Sequence, residues 1–72
     1  MKENWQALGL FMKGLSLVQS GKRQEALDAF NQAIEQDATF ARPWNGKGFV
    51  LSVEGRYREA LDAYDRAIQL DP

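Results

Sequence analysis

The chain repeats itself at an interval of 34 residues. When the sequence is aligned with itself at this offset, without gaps, the run Glu25–Ala29 matches Glu59–Ala63 residue for residue. The same offset places Gly14 on Gly48 and Gly21 on Gly55. A unit of this length is one supersecondary element that needs a stacked neighbour to bury its apolar side. The duplication therefore predicts two copies of one small unit packed side by side.

The spacing of apolar residues predicts two helices in each half, at about 4–20, 24–36, 41–53 and 57–70. Ala26, Phe30 and Ala33 follow one another at intervals of four and three, which places them on one face of a helix. Gly21 and Gly55 supply the positive φ that ends a helix at its C-terminus. No stretch alternates apolar and polar residues between turn signals, as a strand would. The prediction is an all-α fold.

Small residues are expected to set how closely the helices pack. A side chain larger than a methyl group at a crossing would hold helix axes apart from the usual ~8–10 Å. Gly14, Ala26, Gly48 and Ala60 are placed at such crossings, and Phe30 and Tyr64 supply the bulk beside them. The full predicted packing set is Gly14, Ala26, Phe30, Ala33, Trp44, Gly48, Ala60, Tyr64 and Ala67.

Composition argues against an enzyme or a nucleic-acid binder. The chain has no cysteine and no histidine, so the commonest metal ligands and the commonest general base are missing. Its net charge is -1 and no basic cluster exceeds the pair Lys22 and Arg23, which is too little to bind phosphate backbones. The apolar stretch 7–18 is interrupted by Lys13 and is too short to span a bilayer. We therefore expect a cytoplasmic chain with no catalytic residue, metal, cofactor, small-molecule substrate or membrane insertion.

The pattern resembles the tetratricopeptide repeat, which has a period of 34 and two helices per unit. The residues that carry the resemblance in the second half are Trp44, Gly48, Ala60, Tyr64, Ala67 and Pro72, and in the first half Leu10, Gly14, Ala26, Phe30 and Ala33. Lys13 and Lys47 depart from it, since they replace a leucine. Leu17 and Leu51 replace a tyrosine of the family pattern, and Ala38 replaces a proline. The resemblance implies a lead-in at 1–6, repeats at 7–40 and 41–72, a short right-handed α-solenoid, and a protein-interaction scaffold.

The resemblance also implies that the first helix of each repeat lines a concave groove for ligands. The groove residues are then Leu8, Phe11, Met12, Leu15, Val18, Arg42, Asn45, Phe49 and Val53. Those of the first helix fall within an arc of about 120° at 100° per residue. Leu10, Gly14 and Leu17 lie on roughly the opposite side, and a helix that is apolar on two faces is buried on both.

Two readings of this apolar stripe remain open at this point. In one, the groove receives a helix or an extended segment of a partner protein. In the other, part of the stripe packs within the chain, against Trp44, Phe49 and the lead-in with Trp5. A different function is also open, in which copies of the chain associate through uncapped ends, or exchange helices by straightening the linker at 37–40.

Overall fold

The computed structural model describes residues 4–72, which form four α-helices joined by short turns. The helices are α1 (Trp5–Gln19), α2 (Arg23–Gln36), α3 (Ala41–Val53) and α4 (Tyr57–Leu70). No strand occurs in this part of the chain. The predicted all-α fold of two tandem helical hairpins is confirmed. The bounds of α3 and α4 coincide with the predicted ones, whereas α1 is one residue shorter than predicted at each end and α2 begins one residue earlier.

The two hairpins lie side by side in a body of 37 × 26 × 16 Å. Within each hairpin the helices pack on each other, α1 on α2 and α3 on α4. The hairpins meet where α3 lies against both α2 and α1. As a result, α4 packs on α3 alone among the helices described here.

Both hairpin turns are built on a glycine with positive φ, 77° at Gly21 and 81° at Gly55. In the first turn the Gly21 amide donates to the Val18 carbonyl, and the Lys22 amide donates to the Leu17 carbonyl at 2.9 Å. The second turn repeats the pair of bonds. This is the Schellman arrangement, which satisfies the carbonyls that a helix end leaves without partners. The glycines were predicted to end these helices because an L side chain rarely adopts this φ.

Phe30 of α2 is the largest side chain of the core and has no exposed surface. Its ring fits between two glycines on different helices. A Cβ atom at Gly14 of α1 would lie 2.5 Å from the ring, and one at Gly46 of α3 would lie 2.6 Å from it. Phe30 therefore joins the two hairpins, and both neighbouring helices approach it at backbone distance.

The second hairpin repeats only half of this arrangement. Tyr64 of α4 packs against Gly48 of α3, where an added Cβ would lie 3.0 Å from the ring. None of the helices in residues 4–72 lies against the other side of Tyr64, and the residue is half-buried. The predicted alanines of both hairpins are buried in the core, namely Ala26, Ala33, Ala60 and Ala67.

Asn4 makes two hydrogen bonds that link the start of α1 to the end of α2. Its Oδ1 accepts from the Ala7 amide at 3.0 Å, and its Nδ2 donates to the Gln36 carbonyl at 3.0 Å. We expect Asn4→Ala to lower the free energy of unfolding by about 1–2 kcal/mol, because a helix cap and a tertiary bond are lost together. Asn4→Asp should lose less, since a carboxylate keeps the cap. Urea unfolding followed by circular dichroism measures both, and equal losses would contradict this assignment.

No helix in residues 4–72 has the length and apolarity required to cross a membrane.

Candidate functional site

The first helices of the two hairpins, α1 and α3, expose large apolar side chains to solvent. Met12 and Leu15 project from α1, and Phe49 and Val53 project from α3. Met12 is 58% exposed and Phe49 is 48% exposed, although both belong to helices that also contribute to the core. These four exposed residues are called the inner groove below, after the groove that the family resemblance predicts. Apolar surface of this kind, on a chain of this size, is typical of an interaction site.

The other predicted groove residues of α1 are less accessible. Leu8, Phe11 and Val18 are half-buried. The Phe11 ring lies 6.0 Å from the Phe30 ring and 5.6 Å edge-on from the Phe40 ring, measured between centroids. Phe11 and Val18 both pack against the core cluster. They therefore contribute to the packing of the chain, while Met12 and Leu15 face outward.

A cleft of about 210 Å³ opens between the end of α1 and the end of α3. It is lined by Val18, Arg23, Phe49, Val50 and Val53. A water molecule takes up ~30 Å³ of liquid, so the cleft has room for an apolar side chain. Its walls are aliphatic and aromatic, and its one charged side chain is a guanidinium. The cleft is therefore suited to an apolar anchor with an acidic neighbour.

Sequence reasoning missed Arg23 as a residue of this site. Arg23 belongs to the second helix of its hairpin. In the sequence it lies beside a turn, where a charged residue is most simply interpreted as a contribution to solubility. Because α2 begins where α1 ends, its first residue is carried to the mouth of the cleft. The only signal in the sequence was the position of Arg23 at the start of the second helix. The repeat does not support it, because the equivalent residue in the second half is Tyr57.

The polar residues predicted for the groove, Arg42 and Asn45, are both exposed near the start of α3. Arg42 lies eleven residues before Val53, a separation of about 16 Å along the helix at 1.5 Å per residue. Arg23 stands at the other end, beside the cleft. The inner groove is therefore an apolar surface with an arginine near each end.

Part of the stripe packs within the chain, since Phe11 and Val18 lie against the core, and Trp44 makes contacts of its own. Trp44 donates from Nε1 to the Ala38 carbonyl at 3.1 Å, and its ring lies 5.6 Å from the Lys47 ammonium and 6.0 Å from the Arg66 guanidinium. Trp5 is 70% exposed. Residues 1–3 of the predicted lead-in lie outside the described residues. Met12 and Leu15 thus remain accessible in the structure.

Reactive chemistry at this surface is sparse. The Ser52 hydroxyl donates to the Phe49 carbonyl at 2.8 Å, a local bond within α3. In residues 4–72, no three acidic side chains come together in a way that could hold a metal ion. The site consists of apolar side chains, two arginines and an amide, which suit recognition of a peptide surface.

A profile of the tetratricopeptide repeat family matches residues 11–72, which include most of α1 and all of the other three helices. No curated protein matches the chain significantly.

Proposed function

The chain belongs to the tetratricopeptide repeat family, and from that premise we propose that it is a non-catalytic module that binds a segment of another protein in the inner groove. Repeats of this family generally mediate protein–protein interaction and are typically scaffolds. The observation that carries the proposal is the exposure of Met12, Leu15, Phe49 and Val53 on the first helices of the hairpins, with an open cleft beside Phe49 and Val53. The proposal includes a cytoplasmic setting without nucleic acid, cofactor or small-molecule substrate.

The chemistry of the groove favours an amphipathic segment with acidic residues at its flanks. One apolar side chain of the partner would enter the cleft between Val18 and Val53. A second would lie over Met12 and Leu15, where the flexible thioether adapts to different shapes. Carboxylates on the partner would approach Arg23 and Arg42, which would fix its direction and raise its association rate.

Selection of short displayed peptides against the chain tests this proposal. We expect the selected peptides to share apolar anchors at helical or alternating spacing, with Asp or Glu nearby. Phe49→Glu should weaken their binding at least tenfold, because it places a carboxylate in an apolar contact, and loss of a hot-spot side chain costs about 2 kcal/mol or more. Leu15→Glu should act in the same direction. Fluorescence anisotropy of labelled peptides measures both effects.

Two controls make the result specific to the groove. Leu61→Glu also exchanges an exposed leucine for a carboxylate, but on α4, and should leave peptide affinity unchanged. Helicity by circular dichroism should be equal in all three variants, since each replaced side chain is exposed. Phe11→Glu is unsuitable here, because Phe11 packs on Phe30 and its loss would disturb the fold. Peptides that bind Phe49→Glu and Leu15→Glu as tightly as the parent would refute the groove.

A further inference from the structure

The internal repeat allows a comparison of two equivalent helices, α2, which is covered by α3, and α4, which is not covered by another hairpin in residues 4–72. Leu27 of α2 is 6% exposed because α3 lies over it, in one cluster with Val50 and Leu51. Its equivalent in α4, Leu61, is 59% exposed. Ile34 is half-buried, whereas its equivalent Ile68 is 60% exposed. Hence α4 keeps the apolar residues with which α2 binds a helix, but nothing in residues 4–72 lies over them.

Three exposed apolar residues of α4 and the half-buried Tyr64 form one narrow stripe. Tyr57, Leu61, Tyr64 and Ile68 follow one another at intervals of four, three and four, and they span about 60° of the helix at 100° per residue. Intervals of three and four are the spacing of a coiled-coil seam, in which each apolar side chain of one helix fits between side chains of the other helix. The first hairpin has Arg23 where α4 has Tyr57, so the stripe of α4 is longer and more apolar than that of α2.

A further stacked hairpin is a poor occupant of this end, because it would also cover α3. In the first hairpin, α1 supplies Phe11 and Val18 to that contact. Their equivalents in α3 are the polar residues Asn45 and Ser52. Covering them would place an amide and a hydroxyl in an apolar contact, which is unfavourable unless new hydrogen bonds form. At this end of the molecule, the apolar surface is thus confined to α4. A surface of this width suits a single partner helix.

The α1 helix of a second copy does not fit either. On α3, the residues that pack towards α2 include Gly46 and the buried Val50. The Phe30 ring leaves no space for a side chain at Gly46. The equivalent positions of α1 hold Met12 and Ser16. In the same register, the methionine would collide with Tyr64 and the serine would replace an aliphatic contact.

Charge complementarity favours the α4 helix of a second copy as the occupant. Arg58 and Asp65 are seven residues apart and lie on the same flank of the stripe, the one turned away from α3. When two helices pair antiparallel about a twofold axis, the same flank of each faces the other, with the directions reversed. Arg58 of one copy then approaches Asp65 of the second, and the contact occurs twice. Parallel pairing would give no such match.

We propose that two copies of this chain associate through their α4 helices, antiparallel and with twofold symmetry. Overlap of the two stripes packs Leu61 against Tyr64 of the second copy, and Tyr57 against its Ile68. Twofold dimers are the commonest form of homo-oligomer. The seam is small beside the ~1,200–2,000 Å² of a standard interface, so the dimer dissociates on dilution. None of its residues belongs to the inner groove, so the dimer and the groove are independent proposals.

Sedimentation equilibrium from micromolar to millimolar concentration, at low salt, tests the dimer. The expected mass rises from 8.2 kDa towards twice that value. Leu61→Glu should remain monomeric throughout, since each dimer would receive two carboxylates in its seam. Leu15→Glu, which alters the groove, should dimerise like the parent. A parent chain that stays monomeric at millimolar concentration overturns the proposal and indicates that any occupant of α4 is a different protein.

A charge exchange tests the orientation. Arg58→Asp and Asp65→Arg should each dimerise roughly fivefold more weakly than the parent, because each loses two attractive pairs and gains repulsion. An equimolar mixture of the two variants should form a heterodimer at least as readily as the parent dimerises, since opposite charges then face each other. The double variant Arg58→Asp/Asp65→Arg should also recover. A mixture no better than the separate variants overturns the antiparallel pairing.

Discussion

Phe30→Ala is expected to leave the chain largely unfolded at room temperature. The side chain is fully buried between Gly14 and Gly46, and truncation of a buried phenylalanine costs about 3–5 kcal/mol. A single core of this size supplies about 3–5 kcal/mol of net stability in total. The loss therefore matches the whole stability of the domain. Circular dichroism at 222 nm should show most of the helical signal gone.

Tyr64→Ala provides the matched comparison, because Tyr64 occupies the equivalent position 34 residues later. Tyr64 is half-buried and packs against one glycine instead of two. Its truncation should remove less packed surface, leaving a folded chain with a lower midpoint in urea. If the two variants lost equal stability, Phe30 would not be the residue that joins the hairpins. Measurement at low micromolar concentration keeps association through α4 from contributing.

Gly14→Ala and Gly9→Ala should change stability in opposite directions, although both lie within α1. Alanine is favoured over glycine inside a helix by about 1 kcal/mol. At Gly9 an added Cβ meets nothing within 4 Å. Gly9→Ala should therefore gain the helical preference of alanine and raise the unfolding midpoint. At Gly14 the same atom would lie 2.5 Å from the Phe30 ring. Overpacking costs about 1–3 kcal/mol and outweighs the helical gain, because the ring is held by Gly46 on its other side.

Thermal and urea unfolding of the two variants measure the difference directly. The double variant Gly14→Ala/Phe30→Leu should be less destabilised than the sum of its single changes, since leucine gives the new methyl group space. A rise in stability for Gly14→Ala would mean that the helices separate without loss, and would contradict the close packing described for Phe30.

Much of the fold follows from residues whose effects are local. Gly21 and Gly55 end the first helices of the hairpins because their φ is positive, and that preference acts whatever surrounds them. Pro43 fits the first turn of α3 without cost, since an amide in the first helical turn has no partner within the helix. The repeat then doubles the evidence for each element, because a signal in one half is checked by its equivalent in the other.

What the sequence could not supply is the distance between neighbouring helices. Gly46 is absent from the predicted packing set, but it packs against the Phe30 ring. Periodicity gives the direction of a residue around its own helix. It does not say whether a ring from another helix comes within contact distance, because that depends on the crossing of α2 and α3.

The same limit applies to the candidate site. Phe11 and Leu15 differ by one helical turn and were predicted for the same groove. Phe40, in the connector before α3, lies edge-on to Phe11 and leaves Leu15 exposed. Arg23 enters the site from α2 because of where the first turn ends. The direction in which each side chain leaves its helix was therefore predictable from the sequence. Its solvent exposure was not, because that depends on the neighbouring elements.

The environment of Trp44 has a spectroscopic consequence. Its indole nitrogen is anchored to a carbonyl of the connector, and two cations from α3 and α4 lie beside its ring. Trp5, by contrast, stands mostly in water in the folded state. Any change in emission wavelength on denaturation thus originates chiefly from Trp44. The chain carries an intrinsic fluorophore for its second hairpin, so loss of that half could be timed separately from loss of total helix.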